Sequence, residues 1–139
     1  MLGEKRQKIE SVSCGRSVTF AVSSEGGLWG WGFGKHNVLL EGDCADDPGA
    51  SMIKANTVKR APFLMKSFQP IMSLSSGINH VAAVTRTREL ITWGSADCGK
   101  LGHPMPAEQA DSGPVKIKIP GTVVQAACGA TFTVVLAAR

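Results

Sequence analysis

Residues 14–32 read CGRSVTFAVSSEGGLWGWG, and this stretch of sequence occurs in three copies along the chain. The second copy, residues 76–94, reads SGINHVAAVTRTRELITWG, and the third, residues 128–139, reads CGATFTVVLAAR and is cut short. Each copy begins with Cys or Ser followed by Gly and continues into a run of apolar residues. An internal repeat of this kind indicates the architecture of the whole chain, because each copy is expected to form the same structural unit.

The spacing inside the repeat is constant, whereas the distance between repeats is not. In both complete copies 17 positions separate the first Gly from the Gly after Trp, which are Gly15 and Gly32, then Gly77 and Gly94. The first glycines of successive copies are 62 residues apart between Gly15 and Gly77, and 52 apart between Gly77 and Gly129. The additional residues lie in the connection after Gly32. Such variation is typical of a repeated sheet whose loops differ in length.

Short runs of apolar and β-branched residues, some with alternating character, predict β-strands separated by Gly-rich or charged turns. The predicted strands are residues 9–14, 18–23, 28–31 and 62–65, then 71–75, 80–85, 90–93 and 114–119, and finally 123–128 and 132–137. Four antiparallel strands in each unit predict an all-β fold, namely part of a β-propeller with four-stranded antiparallel blades, about 2.5 of them. A β-sandwich is the alternative, but a sandwich does not need near-identical units.

The repeat divides the chain into four segments. They are a polar arm at residues 1–8, a blade-like repeat at 9–69, a second at 70–120, and the first half of a truncated third at 121–139. Such a chain cannot close a propeller ring, and the units of a repeat protein rely on their neighbours to bury their apolar faces. We therefore expect further propeller blades, from the same chain or from another chain.

Composition and charge exclude some classes of protein. The chain has 139 residues, a hydrophobic fraction of 43% and a formal net charge of +4. Nucleic-acid binding usually needs basic residues clustered on one face, so this dispersed charge disfavours it. No apolar run is long enough for a membrane span, and the first residues lack the apolar core of a signal peptide. We expect no membrane contact and an intracellular location, with cytoplasm and nucleus not distinguished.

The four cysteines form no Cys-x-x-Cys pair, so the sequence predicts no zinc site. Cys14 and Cys128 occupy the same position of the repeat, where the middle copy has Ser76. A position that takes either Cys or Ser is expected to be small and packed. Reduced thiols agree with an intracellular compartment.

No group of residues predicts catalysis, a metal site or a cofactor. His36 and His103 lie in predicted loops without an evident nucleophile or carboxylate partner. The acidic residues between positions 41 and 47 lack the alternating ligand spacing of an EF-hand loop and favour a solvated loop. The three tryptophans favour packing between blades over the stacking of bases.

In an antiparallel meander, the loops after the first and third strands of each unit lie on one face, and the remaining turns lie on the other. The long predicted connections, residues 33–59 and 95–111, fall on the first of these faces, which we call the loop face. Binding residues occur preferentially in loops. The candidate partner-binding residues are charged or histidine residues in or beside these connections: Lys35, His36, Asp43, Asp46, Asp47, Lys54, Lys59, Arg60, Lys100 and His103.

The combined pattern resembles the regulator of chromosome condensation repeat over nearly the whole chain. In the second unit the resemblance continues into the Gly-x-Leu-Gly sequence at residues 99–102. The residues of the structural repeat motif are Gly15, Trp31, Gly32, Gly77, His80, Trp93, Gly94 and Gly129. Val18 and Phe132 replace His in the other two copies, and the first unit lacks Gly-x-Leu-Gly. These departures indicate a divergent, partial member of the family.

The resemblance implies a seven-bladed propeller as the complete fold. It also implies a non-enzymatic protein-interaction or scaffold module that binds protein partners through its loop face. One alternative is a guanine-nucleotide exchange factor for a small GTPase, and a second is chromatin or nucleic-acid binding. A fold alone does not decide among these functions. At the position of the family's histidine, His80 is expected to make a structural hydrogen bond rather than to act in catalysis.

Overall fold

The computed structural model describes residues 6, 8–32, 59–60, 70–104 and 111–139. Within these residues the chain forms ten β-strands and one short 3-10 turn, Asp97–Gly99. The strands are β1 (Ile9–Cys14), β2 (Val18–Ser23), β3 (Leu28–Gly32), β4 (Lys59–Arg60), β5 (Ile71–Ser76), β6 (His80–Thr85), β7 (Leu90–Ser95), β8 (Asp111–Ile117), β9 (Thr122–Cys128) and β10 (Thr133–Ala138). Among the residues just given, no helix is long and apolar enough to cross a membrane.

The strands form two four-stranded sheets and one hairpin, all antiparallel. The first blade has the order β1-β2-β3-β4, and the second blade has the order β5-β6-β7-β8. The third blade is represented by the hairpin of β9 and β10. Strands that follow each other in sequence pair with each other, which is the meander of a propeller blade. The predicted fold class, an all-β partial propeller, is confirmed.

The fourth strands of the first two blades, β4 and β8, differ from their predicted bounds more than the first three strands do. β8 begins at Asp111, three residues before the predicted start, because its first residues pair with the end of β7 through main-chain groups. Main-chain pairing does not require β-forming side chains, and the sequence Asp-Ser-Gly therefore gave no strand signal. β4 pairs with Trp29 and Gly30. The last residue of the connection predicted at 33–59 thus belongs to β4, and the strand predicted at 62–65 lies outside the described residues.

The hairpins of the first two blades share one register. In the first blade Val18 lies opposite Gly32, and the next pair places Thr19 opposite Trp31. In the second blade His80 lies opposite Gly94, and the next pair places Val81 opposite Trp93. The constant spacing of the repeat therefore determines which two residues of a blade's second strand lie opposite the Trp and the Gly of its third strand.

The largest apolar cluster lies between the first and second blades. Its buried members are Val18, Phe20, Val22, Leu28, Ile71, Val81, Ala83, Ile91 and Trp93. The ring of Phe20 meets the ring of Trp93 edge-on, with centroids 6.4 Å apart and an interplanar angle of 87°. Trp93 has no exposed surface. Burial of such a side chain stabilises the fold by a few kcal/mol, roughly 25 cal/mol per Å² of apolar surface. A Trp packed between blades was predicted, and Trp93 is packed in this way.

A second apolar cluster lies between the second and third blades. Its buried members are Ala82, Val84, Leu90 and Val123, and partly buried residues surround them. By the alignment of the repeats, Ala82 stands where the first blade has Phe20. This junction is therefore built from smaller side chains than the first one.

Two hydrogen bonds of the same kind join neighbouring blades at their first strands. The amide of Ser76 donates to Oγ of Ser13 over 3.0 Å, and the amide of Cys128 donates to Oγ of Ser75 over 3.0 Å. The Cys-or-Ser position of the repeat thus contacts a serine of the preceding blade. Cys14 is exposed, so the predicted packed position is wrong there. The reason is that no described residue covers that side of β1.

The repeat glycines allow close contact between blades beside these bonds. A Cβ atom added to Gly15 would lie 2.8 Å from the carbonyl oxygen of Gly77. A Cβ atom added to Gly77 would lie 2.6 Å from the carbonyl oxygen of Gly129. Real Cβ atoms do not approach an oxygen so closely, so the backbones of successive blades meet only because these positions lack side chains.

The outward side of β10 exposes apolar side chains. Val134 and Leu136 are 58% and 59% exposed and alternate with the less exposed Thr133, Val135 and Ala137. In a strand, alternate residues point to opposite faces. One face of β10 therefore packs on the second blade, and the other face lies open in the described structure.

Candidate functional site

The structure describes four of the ten candidate partner-binding residues. Lys59 and Arg60 form β4. Lys100 and His103 belong to residues 96–104, which follow β7 and which we call the β7–β8 loop. The other candidates lie outside the described residues: Lys35, His36, Asp43, Asp46, Asp47 and Lys54. The described part of the candidate site is therefore the β7–β8 loop and the residues around it.

Hydrogen bonds hold the β7–β8 loop in a compact form. The hydroxyl of Thr92 donates to the carbonyl of Leu101 over 2.7 Å, and Leu101 is almost completely buried. The amide of Gly102 donates to the carbonyl of Gly99 over 3.1 Å. Both glycines have positive φ angles, 76° and 68°, which glycine adopts without steric cost. The Gly-x-Leu-Gly sequence thus turns the backbone twice and buries the Leu between the turns.

A chain of hydrogen bonds ties this loop to the third blade. The hydroxyl of Thr133 donates to the carbonyl of Lys100 over 2.8 Å. A hydroxyl has one proton, so Oγ1 of Thr133 must accept its other bond, and the donor is Nε2 of His80 at 2.9 Å. This assignment places the proton of the neutral imidazole on Nε2. One Thr side chain therefore connects β6, the β7–β8 loop and β10.

The environment of His80 favours the neutral ring. His80 has no exposed surface, and burial lowers its pKa below the ordinary value of 6.5, because the charged form loses its hydration. The positive charge of Lys100 lowers the pKa further. Gly77 lies directly against the ring, since a Cβ atom there would be 2.4 Å from Cε1 of His80. His80 therefore acts as a buried hydrogen-bond donor and is closed to a substrate.

A cavity of about 360 Å³ opens between the second blade and β10. Lys100 and Lys118 contribute to its lining, and no acidic residue is among the described residues that line it. Lys100 is only 7% exposed, which is unusual for a charged side chain. Its apolar lining consists of Leu90, Leu101, Ile117, Ile119, Phe132 and Val135. The cavity is thus a mainly apolar space with a nearly buried ammonium group in its wall.

The turns on the opposite face connect the blades to one another. The guanidinium group of Arg86 donates to the carbonyl of Ser24 in the first blade. The amide of Arg86 donates to the carbonyl of Pro70 over 2.8 Å. The amide of Val123 donates to the carbonyl of Arg88 over 3.2 Å, which joins the second blade to the third. This face therefore contributes to the packing of the blades.

The described thiols do not form a metal site. Across the ranges that the structure covers, no three residues of the types His, Cys, Asp and Glu are grouped so that they could hold a metal ion. Cys14, Cys98 and Cys128 are free thiols. Burial raises the pKa of Cys128 above its usual range, and its Sγ donates to the carbonyl of Ser75 over 3.2 Å. Cys128 is therefore held in the protonated form.

Sequence reasoning missed several residues that organise this region. The serines that join the blades, Ser13 and Ser75, had a signal, since both directly precede the Cys-or-Ser position of their copies. Thr133 had none, because its partners His80 and Lys100 are far away in the sequence and become neighbours only when blades pack together.

The antiparallel four-stranded blades, joined by the same contacts at successive junctions, define a β-propeller assembly. Residues 89–136 match the regulator of chromosome condensation (RCC1) repeat. The chain is 30% identical over 135 residues to the ultraviolet-B receptor UVR8 of Arabidopsis thaliana, covering 96% of this chain and 28% of that protein. It is 28% identical over 130 residues to the serine/threonine-protein kinase Nek9 of Mus musculus, covering 89% and 12%. Residues 89–136 therefore form a regulator of chromosome condensation repeat, and the chain as a whole is similar to proteins that carry such repeats and forms a partial propeller.

Further relatives and solved structures agree with this assignment. The RCC1-like G exchanging factor-like protein of Mus musculus is 29% identical over 133 residues, covering 94% of this chain and 27% of that protein. Human WBSCR16 superimposes with a TM-score of 0.76 at 18% identity, covering 96% of this chain and 32% of that one. Prp20p from Saccharomyces cerevisiae does so with a TM-score of 0.73 at 18% identity, covering 97% and 32%. The chain thus spans less than a third of the length of each of these proteins.

Proposed function

We propose that this chain is a non-enzymatic protein-interaction module that binds a protein partner through its loop face. The observation that carries the proposal is the fixed form of the β7–β8 loop. Thr92 anchors the loop from within the second blade, and Thr133 anchors it from the third. A loop that is ordered before binding loses less conformational entropy when a partner docks, so more of the contact energy contributes to affinity.

Within this loop, the exposed residues rather than Lys100 are available to contact the partner. Lys100 is nearly buried, whereas Asp97 and Cys98 are exposed and His103 is half-buried. Nδ1 of His103 lies 3.3 Å from the carbonyl oxygen of Pro104, and this contact orients the ring. We propose that Asp97 and His103 contact the partner together with residues of the connection at 33–59.

A crosslinking experiment tests the assignment of the face. A photo-reactive amino acid replaces His103 on the loop face in one variant and Thr87 on the opposite face in a matched control. A third variant carries the same amino acid in place of Lys35. We expect one partner to be captured from position 103 and again from position 35, but not from position 87. Equal capture from position 87 would show that the loop face is not the binding surface.

A second candidate function is guanine-nucleotide exchange on a small GTPase. The name of the mouse relative, RCC1-like G exchanging factor-like protein, favours it, as does the solved structure of Prp20p, whose title reports binding to Gsp1p and histones. Exchange predicts faster release of fluorescent GDP from one member of a GTPase panel when the chain is added. An unchanged release rate across the panel leaves the interaction module as the function.

The salt dependence of the affinity for DNA distinguishes chromatin or nucleic-acid binding from a protein interaction. If phosphate contacts dominate, the affinity for DNA falls steeply between low and physiological salt, because bound counterions are released. A protein interaction through the loop face predicts no such binding. We also propose an intracellular location, in the cytoplasm or the nucleus, and assembly with further propeller blades from the same chain or from another.

A further inference from the structure

We propose that protonation of His80 opens the β7–β8 loop, so that the loop is closed near neutral pH and is released in acid. His80 lies in β6, and the whole of β7 separates it in sequence from this loop. The hydroxyl of Thr133 connects the two, because it bonds to the ring and to the loop backbone. Since the loop lies on the loop face, the inference concerns the regulation of binding there and in that respect rests on the proposed function.

The ring of His80 is enclosed so that its second nitrogen has no partner. Nε2 donates its proton to Oγ1 of Thr133, whereas Nδ1 is buried and makes no hydrogen bond with any described residue. The backbone of Gly77 is packed against that side of the ring, since a Cβ atom there would lie 2.5 Å from Nδ1. Protonation adds a donor at Nδ1, and a buried donor without an acceptor is destabilising.

The charges around His80 also oppose a positive ring. Lys100 approaches it from the β7–β8 loop, and its positive charge lowers the pKa of His80. The carbonyl of Phe132 acts in the opposite direction, but its effect on the pKa is smaller than that of burial or of Lys100. Within the described part of the chain, no carboxylate is among the groups that alter this pKa.

The other strands packed around His80 bring no compensating charge. β5 and β7, which flank β6 in the second blade, contain no titratable residue. β9 contributes the thiol of Cys128, whose Sγ lies 4.0 Å from Oγ1 of Thr133 and is held protonated by burial. The imidazolium form of His80 therefore meets one nearby positive charge and no negative one among the described residues.

Movement of the β7–β8 loop relieves both effects at once. Burial and the charge of Lys100 are the two largest causes of the lowered pKa of His80. A loop that moves away takes the ammonium of Lys100 with it and admits water to the ring, so the imidazolium regains its hydration. The loop is held by a few hydrogen bonds, whereas the blades are held by whole strand ladders and apolar clusters. Elements with few contacts open at lower cost than a core.

The pH range of the opening follows from the direction of the shift. The loop is expected to be closed above 6.5, the ordinary pKa of histidine, and to open as the pH falls from there through the lower pKa of His80 in the closed form. The exposed residue Asp97 and the half-buried His103 are carried by this loop and lose their fixed arrangement when it opens. Binding at the loop face is therefore expected to weaken in acid.

Amide exchange in the unaltered chain tests the opening. The amide of Gly102 donates to the carbonyl of Gly99 inside the loop, and the amide of Thr85 donates to that of Glu89 at the opposite end of β6. Their protection is the exchange rate of an unstructured peptide divided by that of the chain at the same pH. NMR measures it from about pH 8 to about pH 5, the range in which histidine titrates.

Protection at Gly102 should fall in acid by about tenfold or more relative to that at Thr85, because protonation favours the open form. Its midpoint should coincide with the titration of the ring resonances of His80. Constant protection of Gly102 down to about pH 5 would overturn the proposal. A loss at Gly102 no larger than that at Thr85 would do so as well, since the whole blade would then be unfolding.

Two histidine variants identify the group that triggers the opening. His80→Gln keeps a side-chain N–H but cannot take up a proton in this range, so Gly102 should stay protected in acid. His103→Gln removes the histidine of the loop itself and should retain the loss. Equal behaviour of the two variants would overturn the proposal. If His80→Gln fails to fold, the unaltered chain decides, because a midpoint that follows the ring of His103 instead of His80 contradicts the proposal.

These measurements use the chain without a partner. A failed crosslink at position 103 would therefore remove the proposed function and leave the opening of the loop intact. Constant protection at Gly102 would remove the opening and leave the proposed function intact.

Discussion

Nε2 of His80 and Oγ1 of Thr133 lie 2.9 Å apart, in different blades, and their hydrogen bond joins the second blade to the third. The same hydroxyl donates to the carbonyl of Lys100. The histidine of the repeat thus contributes to the junction with the next blade as well as to the packing of its own blade.

Thr133→Val is expected to weaken the fold. The substitution keeps the shape of the side chain but leaves the buried Nε2 proton of His80 without its acceptor, which costs about 1–3 kcal/mol. The midpoint of urea unfolding measures this loss. Thr131→Val, an exposed position of the same hairpin, is the control and should change stability by less than about 0.5 kcal/mol. A Thr133→Val variant as stable as the control would show that the bond is not needed.

The stability of the chain should fall as the pH drops below about 6.5. His80 has a pKa lowered by burial and by Lys100, so the unfolded chain takes up a proton more readily than the folded chain. The contribution is fully present above the ordinary pKa of 6.5 and is lost as the pH falls from there through the folded pKa. Urea unfolding between about pH 5 and about pH 8 measures it.

The origin of this pH dependence is tested by two histidine variants. His80→Gln keeps a side-chain N–H donor but cannot take up a proton in this range, so the pH dependence should become smaller. His103→Gln retains His80 and should retain the dependence. If the two variants behave alike, His80 is not the group that titrates.

Gly77→Ala should destabilise the chain by about 1–3 kcal/mol through overpacking. The added Cβ atom would collide with the ring of His80 and with the carbonyl oxygen of Gly129. It should also reduce the pH dependence, because the ring must move. Gly99→Ala is the comparison, since a Cβ atom there meets nothing within 4 Å and its cost arises from the positive φ angle of 68°. Thermal melts of both variants at two pH values measure the loss of stability and its pH dependence. A pH dependence retained in Gly77→Ala would contradict the expected displacement of the His80 ring.

Phe20 and Trp93 should be energetically coupled. Their edge-on contact predicts a coupling energy of about 0.5–1.5 kcal/mol in a double-mutant cycle of Phe20→Leu and Trp93→Leu. Urea unfolding of the four chains gives the value. Phe20→Leu combined with Leu136→Ala, a distant exposed position, should be additive within about 0.5 kcal/mol. Additivity of the Phe20 and Trp93 changes would mean that the rings contribute only by burial.

The repeat made most of the fold predictable from the sequence. The bounds of β2 and β6 follow from runs of β-forming residues between turns, and both agree with the structure. The start of β8 could not be predicted, because Asp111 and Ser112 are held by main-chain pairing with β7. Periodicity of side chains is the signal in the sequence, and it is absent where only the backbone pairs.

The candidate site was less predictable than the fold. Lys100 was chosen as a charged loop residue, yet the structure buries most of it beside the third blade. The carbonyl oxygen of Lys100 accepts a hydrogen bond from Thr133, which belongs to another copy of the repeat. Contacts between copies follow from how the blades stack, and one copy read alone does not contain that information.

Gly15 lies against the carbonyl oxygen of Gly77, and Gly77 lies against that of Gly129, so the main chains of successive blades come together at these positions. The contact between neighbouring blades at these positions is consequently made by peptide groups that every copy possesses, whatever its loops contain. The connection that carries the ten additional residues of the first copy begins after Gly32, 17 positions beyond Gly15 in the sequence. The segment after Trp-Gly is therefore the position at which a foreign loop could be inserted into a blade.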